Sequence, residues 1–217
     1  DILKLVNTLI ENTKGDGEMK TPLCIEKKPF DKIIAVDGGL KRLRQAGIVP
    51  DLIAGDFDSL GFKPETGKLL CLPVEKDVTD SYAAAMSAAD EGFERIIIFG
   101  GTGGRTEHTF ANVQLLAALA KRGVKGFLAD DGRTMFVSDG GTTKIAARKS
   151  GYVSVFSLDT KCEGVTLKGL KYPLSGYTLT NEFPIGVSNE FIGQTAEIIV
   201  EKGVYLVVAE CSPDDFS

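Results

Sequence analysis

Four short apolar runs in this 217-residue chain each end in an acidic or glycine-rich loop, and that repeated order restricts the fold more than any other feature. Lys32–Val36 leads into Asp37-Gly38-Gly39, and Asp51–Gly55 into Asp56-Phe57-Asp58-Ser59. Leu69–Val74 leads into Glu75–Asp80, and Arg95–Phe99 into Gly100–Arg105. Short apolar runs alternating with helical patterns predict βαβ units and a parallel sheet. In such a sheet all four loops fall along one edge, outside the carboxyl ends of the strands, where open α/β sheets bind ligands. Carboxylates, an arginine and a glycine-rich turn on one rim suggest a metal–nucleotide site.

Between the runs, Thr79 is placed to cap a helix through Glu91, with Tyr82, Ala85, Met86 and Ala89 on one face and Gly92 as its stop. A second helix is expected from Thr106 to Arg122, striped by Phe110, Val113, Leu116, Ala117 and Ala120 and ended by Gly123. Asp1–Asn12 also reads as an amphipathic helix, through Ile2, Leu5, Val6, Leu9 and Ile10, and residues 13–29 as polar loop. The pattern changes near residue 140, where Asp139-Gly140-Gly141 is a turn signal. Beyond it, Tyr152–Leu158, Gly164–Leu170, Tyr177–Thr180, Ala196–Glu201 and Val204–Glu210 read as short strands, with Lys202-Gly203 as a hairpin turn. Strands at this spacing suggest an antiparallel sandwich or barrel. The expected architecture is an α/β domain over residues 1–139 followed by an all-β domain over 140–217.

Composition narrows the function classes. The apolar share of 43% suffices for a proper core. No window approaches the roughly 18–20 apolar residues of a membrane span. The first residues lack the basic and apolar regions of a secretory signal. Cys24, Cys71, Cys162 and Cys211 are scattered without a CxxC pair, which reads as reduced thiols in a cytoplasmic protein rather than a zinc or disulfide framework. A net charge of −5 without a Lys/Arg-rich run argues against binding nucleic acid by phosphate neutralisation. An acidic protein can still bind a nucleotide when carboxylates hold Mg²⁺ against its phosphates.

Each motif has a plain structural reading beside the chemical one. Asp56 and Asp58 point to the same side of an extended chain and can share one cation, although such a triplet also forms solvated turns. Asp80 suits the first turn of a helix through the macrodipole, whereas Asp77 has no such explanation. Gly100, Gly101, Gly103 and Gly104 let backbone N–H groups approach phosphate oxygens just before a helix, and Arg105 can grip them bidentately. Neither the Walker A pattern nor the dinucleotide fingerprint fits this loop. Asp37-Gly38-Gly39 is a tight turn or part of the same site. His108, the chain's single histidine, adjoins the loop, and no Cys/His cluster supports zinc.

Taken together in order, these stretches resemble the thiamin pyrophosphokinase family. The matching segments are Ala35–Gly39, Gly47–Ser59, Glu75–Asp80 and Gly100–Thr109, with Gly169–Leu174 and Val187–Glu190 in the second half. The resemblance implies a Rossmann-like parallel-sheet domain followed by an antiparallel β-sandwich, assembled as a homodimer with active sites between subunits. It implies transfer of a diphosphoryl group from ATP to the thiamine hydroxyl, with Mg²⁺ and with AMP as the second product. On it, Asp56, Asp58, Asp77 and Asp80 correspond to the metal and catalytic carboxylates, with Asp56, Asp58 and Asp77 on Mg²⁺. Asp37, Gly38, Gly39, the loop from Gly100 to Arg105 and His108 fall at the ATP site, and Tyr172, Ser188 and Asn189 at the thiamine site. Two departures stand out: Glu107 occupies a position where Asp is usual, and Tyr172 one often held by Trp. The family's opening strand is not recognisable before residue 32, unless Thr21–Glu26 supplies it. Three rivals compete with this reading: a diphosphokinase for a hydroxymethylpterin, a Mg²⁺-dependent glycosyltransferase with its acidic triplet, and a non-catalytic nucleotide or thiamine sensor.

Overall fold

The structure, a computed structural model, describes residues 2–7, 30–55, 68–71, 77–103 and 105–217, the segments 2–7 and 68–71 through their backbone pairing alone. Its first half follows the runs legible in the chain. Strand β1 (Ile2–Asn7) lies between β2 (Lys32–Val36) and β5 (Arg95–Phe99). Beyond β2 come β3 (Leu52–Gly55) and β4 (Lys68–Cys71), and beyond β5 comes β6 (Lys125–Asp130). All six strands are parallel. Ile34–Val36, Ile96–Ile98 and Phe127–Ala129 are buried without alternation, as expected of strands covered on both faces.

Residues 2–7 correct the reading of a helix at the N-terminus. Ile2, Leu3, Leu5 and Val6 fit either period, and so short an apolar run does not separate strand from helix. Parallel partners on both sides, from Leu3↔Lys32 and Ile2↔Arg95 onward, decide it. This is the opening strand that the sequence alone hid; Thr21–Glu26 lies outside the described residues.

Helices cover both faces of the parallel sheet. Helix α1 (Gly39–Gln45) packs Leu40 and Leu43 on Ala35 and Ile53. Helices α2 (Asp80–Asp90) and α3 (Thr106–Lys121) cover the opposite face through Ile34, Val36, Ile96, Ile98 and Leu128. Thr79 caps α2, its hydroxyl accepting the Tyr82 N–H at 3.2 Å. The buried face of α3 is Asn112, Leu115, Leu116 and Leu119, whereas Phe110 is 69% exposed. Of the stripe read from the sequence, Leu116 is buried and Val113, Ala117 and Ala120 pack against the same cluster; only Phe110 points away, and the polar Asn112 joins the inner face.

Strand β7 (Arg133–Ile145) corrects the expected turn at Asp139-Gly140-Gly141. It pairs with β6 at its start and with β12 (Ala196–Ala209) from Thr134 to Ile145. Gly140 and Gly141 take positive φ inside this strand, opposite a register shift between Val200 and Val204. Lys202-Gly203 is likewise no hairpin but part of that shift. There β12 changes its second partner from β9 (Lys161–Lys168) to β8 (Tyr152–Ser157). β9 also pairs with β10 (Leu174–Thr180), and β8 with β11 (Asn189–Glu190), so among the described residues all twelve strands join one sheet. In this half burial alternates along the strands, as in β8 and β12.

One core spans the junction. Ile97, Phe127, Ala129 and Phe136 belong to the cluster that continues through Val155, Val165, Tyr205 and Phe216. Phe127 stacks on Phe136 at 4.9 Å and meets Phe216 edge-on at 5.5 Å. Arg95 lies over the Phe127 ring at 4.5 Å, and its Nη2 donates to the Pro213 carbonyl at 2.6 Å, tying down the last turn. No helix of the described residues is long and apolar enough to cross a membrane. Phe127→Ala is expected to cost about 3–5 kcal/mol, the usual loss for a fully buried aromatic. Urea unfolding measures it, and a loss under about 1 kcal/mol would show the junction to be loosely packed.

Candidate active site

Because β2 to β6 run parallel, the loops after Val36, Gly55, Cys71, Phe99 and Asp130 emerge on one edge of the sheet. The chain winds outward from β1 through β2, β3 and β4, then returns to the other side of β1 with β5 and β6. That reversal creates the crevice in which open sheets bind ligands, and the glycine loop after β5 stands at it.

The glycine loop is held from two sides. The Asp130 carboxylate, at the end of β6, accepts the Gly100 N–H at 2.6 Å and the Thr102 N–H and hydroxyl at 2.9 and 2.7 Å. Burial raises the Asp130 pKa above the ordinary carboxylate range, and the surrounding donors pull it part of the way back. From the other side, the buried Asn112 Nδ2 donates to the Gly101 carbonyl at 2.8 Å. Gly101 has no room for a side chain, since a Cβ there would lie 2.9 Å from Leu128 Cδ2. Beyond this braced stretch, Arg105 opens α3. Its guanidinium touches the His108 ring and stands 3.5 Å from the Glu107 carboxylate. All three side chains lie at the helix N-terminus, the end that favours anions.

The acidic part of the rim is built as closely. Asp37 follows β2 at φ +48°, a left-handed conformation that Asp tolerates, and its N–H donates to the Ala54 carbonyl at 3.0 Å. Its carboxylate rests on Gly55, where a Cβ would come within 2.5 Å of Oδ1. Gly55 itself has φ +152°, so both backbone and space require glycine. Asp37 therefore sits against the residue that precedes Asp56. Gly38 caps α1 and Gly39 begins it. Asp77 is exposed just before α2, and Asp80 is the first residue of that helix. Asp56, Asp58 and Gly104 lie outside the described residues. Among the described residues no group of three acidic, His or Cys side chains is close enough to hold a metal. The donor type nevertheless suits a hard cation, because the side chains brought to this rim are carboxylates.

Tyr172, Ser188 and Asn189 come together in the β half. Asn189 is 5% exposed, and both ends of its amide are engaged. Its Oδ1 accepts the Tyr172 and Glu190 N–H groups at 2.9 Å each, and its Nδ2 donates to the Tyr172 carbonyl at 2.7 Å. Asn189 thus fixes the Tyr172 backbone. The Tyr172 ring is 56% exposed and has the Lys171 ammonium 5.3 Å from its centroid, so one cation already uses its π-face. Ser188 is exposed at φ +57°, and its N–H donates to Ser154 Oγ at 3.0 Å.

This geometry has close relatives. The chain matches a profile described as thiamin pyrophosphokinase, catalytic domain, over residues 25–128, and one described as its vitamin B1 binding domain over 142–205. It is 31% identical over 182 residues to thiamine pyrophosphokinase of Bacillus subtilis, covering 81% of this chain and 85% of that protein. The chain belongs to the thiamin pyrophosphokinase family. Two crystal structures with that name share its fold at 27% identity. The Bacillus subtilis structure superposes with a TM-score of 0.79 over 98% of this chain and 100% of its own. The Geobacillus thermodenitrificans structure superposes with 0.80 over 99% and 100%.

In this thiamin pyrophosphokinase family member, sequence reading missed the residues that brace the loop. Asp130 precedes Asp131-Gly132 and looks like part of a turn, and Asn112 looks like a solvent-facing helix position. The signal available was a polar residue interrupting the inner face of α3. Asn112→Leu removes the donor and leaves a buried carbonyl short of its partner, a change worth about 1–3 kcal/mol. Urea denaturation of that variant is expected to show a loss in this range, and no loss would show that water replaces the amide.

Proposed function

We propose that this chain is a thiamine diphosphokinase, transferring a diphosphoryl group from ATP to thiamine with Mg²⁺, and working as a cytoplasmic homodimer. The observation that carries the reading is the meeting, on one rim of a chain from this family, of acidic loops with a braced glycine loop and an arginine. We read residues 1–139 as a Rossmann-like nucleotide domain and 140–217 as a thiamine-binding β-sandwich, with β7 running between them. The dimer reading brings Tyr172 and Ser188 of one subunit to the rim of the other, with Asn189 setting the Tyr172 backbone from behind. The exposed Phe183, Ile185 and Val187 beside Ser188 suit a surface that becomes covered. The buried free thiols of Cys162 and Cys211 suit a reducing compartment.

In the proposed reaction the primary hydroxyl of thiamine attacks the β-phosphorus of ATP in line. The bond from that phosphorus to the oxygen bridging the α-phosphate breaks, and AMP leaves with the bridging oxygen. Positioning and charge stabilisation do most of the work in such transfers. Asp37, Gly38 and Gly39 border the nucleotide. Because Gly100 and Thr102 N–H groups are turned to Asp130, the phosphates face Gly103, Gly104, Arg105 and the first turn of α3, with His108 beside Arg105. Either Asp77 or Asp80 takes or orients the hydroxyl proton. Asp56, Asp58 and Asp77 would hold Mg²⁺, which when bound neutralises phosphate oxygens. The Tyr172 face receives the thiazolium cation.

The direct test is AMP release from ATP and Mg²⁺ with and without thiamine, with thiamine diphosphate followed in parallel. Thiamine-dependent AMP matched by product supports the reading, and AMP formation that depends on a hydroxymethylpterin instead overturns its substrate. Asp56→Asn and Asp58→Asn are each expected to lower turnover by at least ~100-fold, the scale of a lost preorganised electrostatic contact. Parent-like turnover in both would remove the metal role. Tyr172→Ala is expected to raise KM for thiamine about 5- to 30-fold, the equivalent of a desolvated cation–π contact, with KM for ATP unchanged. Equal changes in both constants would place Tyr172 outside the thiamine pocket.

A further inference from the structure

We propose that Asp130 is a positioning residue for the nucleotide: its carboxylate fills the anion-binding hollow at the start of the glycine loop, and so aims the rest of the loop at the phosphates. Successive backbone N–H groups form such hollows, and they bind phosphate as readily as carboxylate. Here the hollow formed by the Gly100 and Thr102 N–H groups is occupied from within the protein, at 2.6 and 2.9 Å from those groups and 2.7 Å from the Thr102 hydroxyl. Two consequences follow from the charge. A phosphate cannot enter the same hollow, because a second anion there would lie against the Asp130 carboxylate. The loop also cannot collapse, because releasing Asp130 would leave a half-buried charge without its donors.

Bracing on the other side fits this role. Asn112 holds the Gly101 carbonyl, so both the donors and the acceptor of the first loop residues are satisfied before any ligand arrives. The other described loop residues, Gly103 and Arg105, lie at the N-terminus of α3, the end that attracts anions, where Arg105 meets only His108 and Glu107 of that helix in the contacts described above. A rigid first half and an open second half is the division expected of a loop that must not reorganise when phosphates bind. Asp130 itself is no catalytic residue, since its carboxylate is directed into the loop.

The inference rests on the ATP reading above, and a binding measurement separates the two. The probe is α,β-methylene ATP with Mg²⁺, whose bridging carbon blocks the bond proposed to break. Asp130→Asn replaces an acceptor oxygen with a donor facing N–H groups. Calorimetry is expected to show binding at least 10-fold weaker, with KM for thiamine within twofold of the parent. Thr102→Val keeps the buried carboxylate and removes one donor, and is expected to weaken binding about threefold. If Asp130→Asn fails to fold, Thr102→Val carries the test alone. Parent-like nucleotide affinity in a folded Asp130→Asn, or in Thr102→Val when the other does not fold, overturns the role, as does a lower melting temperature with no change in affinity. A parent that binds the analogue but forms no thiamine diphosphate sinks the thiamine reading and leaves Asp130 standing. A parent that does not bind it sinks both.

Discussion

Strand β7 pairs with β6 through residues 133–136 and with β12 from Thr134 to Ile145, so the parallel and antiparallel halves are one hydrogen-bonded sheet. Everything else is placed relative to that shared strand. Among the described residues, no helix covers Ile97, Phe127 and Ala129 on the sheet face opposite α2 and α3. The β half supplies the cover instead, with Phe136, Phe216 and Val155 in the same cluster. Neither half therefore buries its inner surface alone. Apolar burial is the main term favouring a folded domain, so the two halves are expected to gain and lose stability together.

The shared strand also accounts for what the chain revealed and what it hid. Lys32–Val36 and Arg95–Phe99 are strands to the residue, and Thr79 caps its helix, because buried parallel strands and caps carry strong local signals. Ile2–Asn7 carries a helical pattern in the sequence, and its identity as a strand depends on two partners far away along the chain. Gly140-Gly141 and Lys202-Gly203 resemble turns in the sequence because glycine permits both a turn and a bulge. Only the pairing across β7 and β12 shows that these glycines bend two long strands side by side. Gly203 lies where β12 leaves β9 for β8, and a Cβ there would approach the Lys161 carbonyl to 2.8 Å.

The site was legible to a different degree. The order of acidic and glycine-rich loops already placed them on one edge, since parallel strands allow no other arrangement. The direction of individual groups was not legible. Four glycines suggested a uniform row of phosphate donors, yet two N–H groups of the loop donate to Asp130. Asn189, expected beside thiamine, turns both its amide oxygen and its amide nitrogen to the Tyr172 and Glu190 backbone. In both cases a polar side chain and a backbone segment distant in sequence satisfy each other, and no spacing rule records such a pairing.

The rim combines two opposed electrostatic demands. Carboxylates at Asp37, Asp77 and Asp80 repel a polyphosphate, whereas Arg105 and the α3 N-terminus attract one. In a chain of net charge −5 these demands are compatible only if the two signs occupy different places along the edge. The topology provides this, because the acidic loops follow β2 and β4 while the glycine loop follows β5, on the other side of β1. Asp130 is the apparent exception, a carboxylate set beneath the glycine loop. The Gly100 and Thr102 donors satisfy it there, so its charge is spent on the loop rather than presented to a ligand. A neutral residue would leave those N–H groups to water or to a misplaced anion, and the direction of the loop would then depend on whatever bound first.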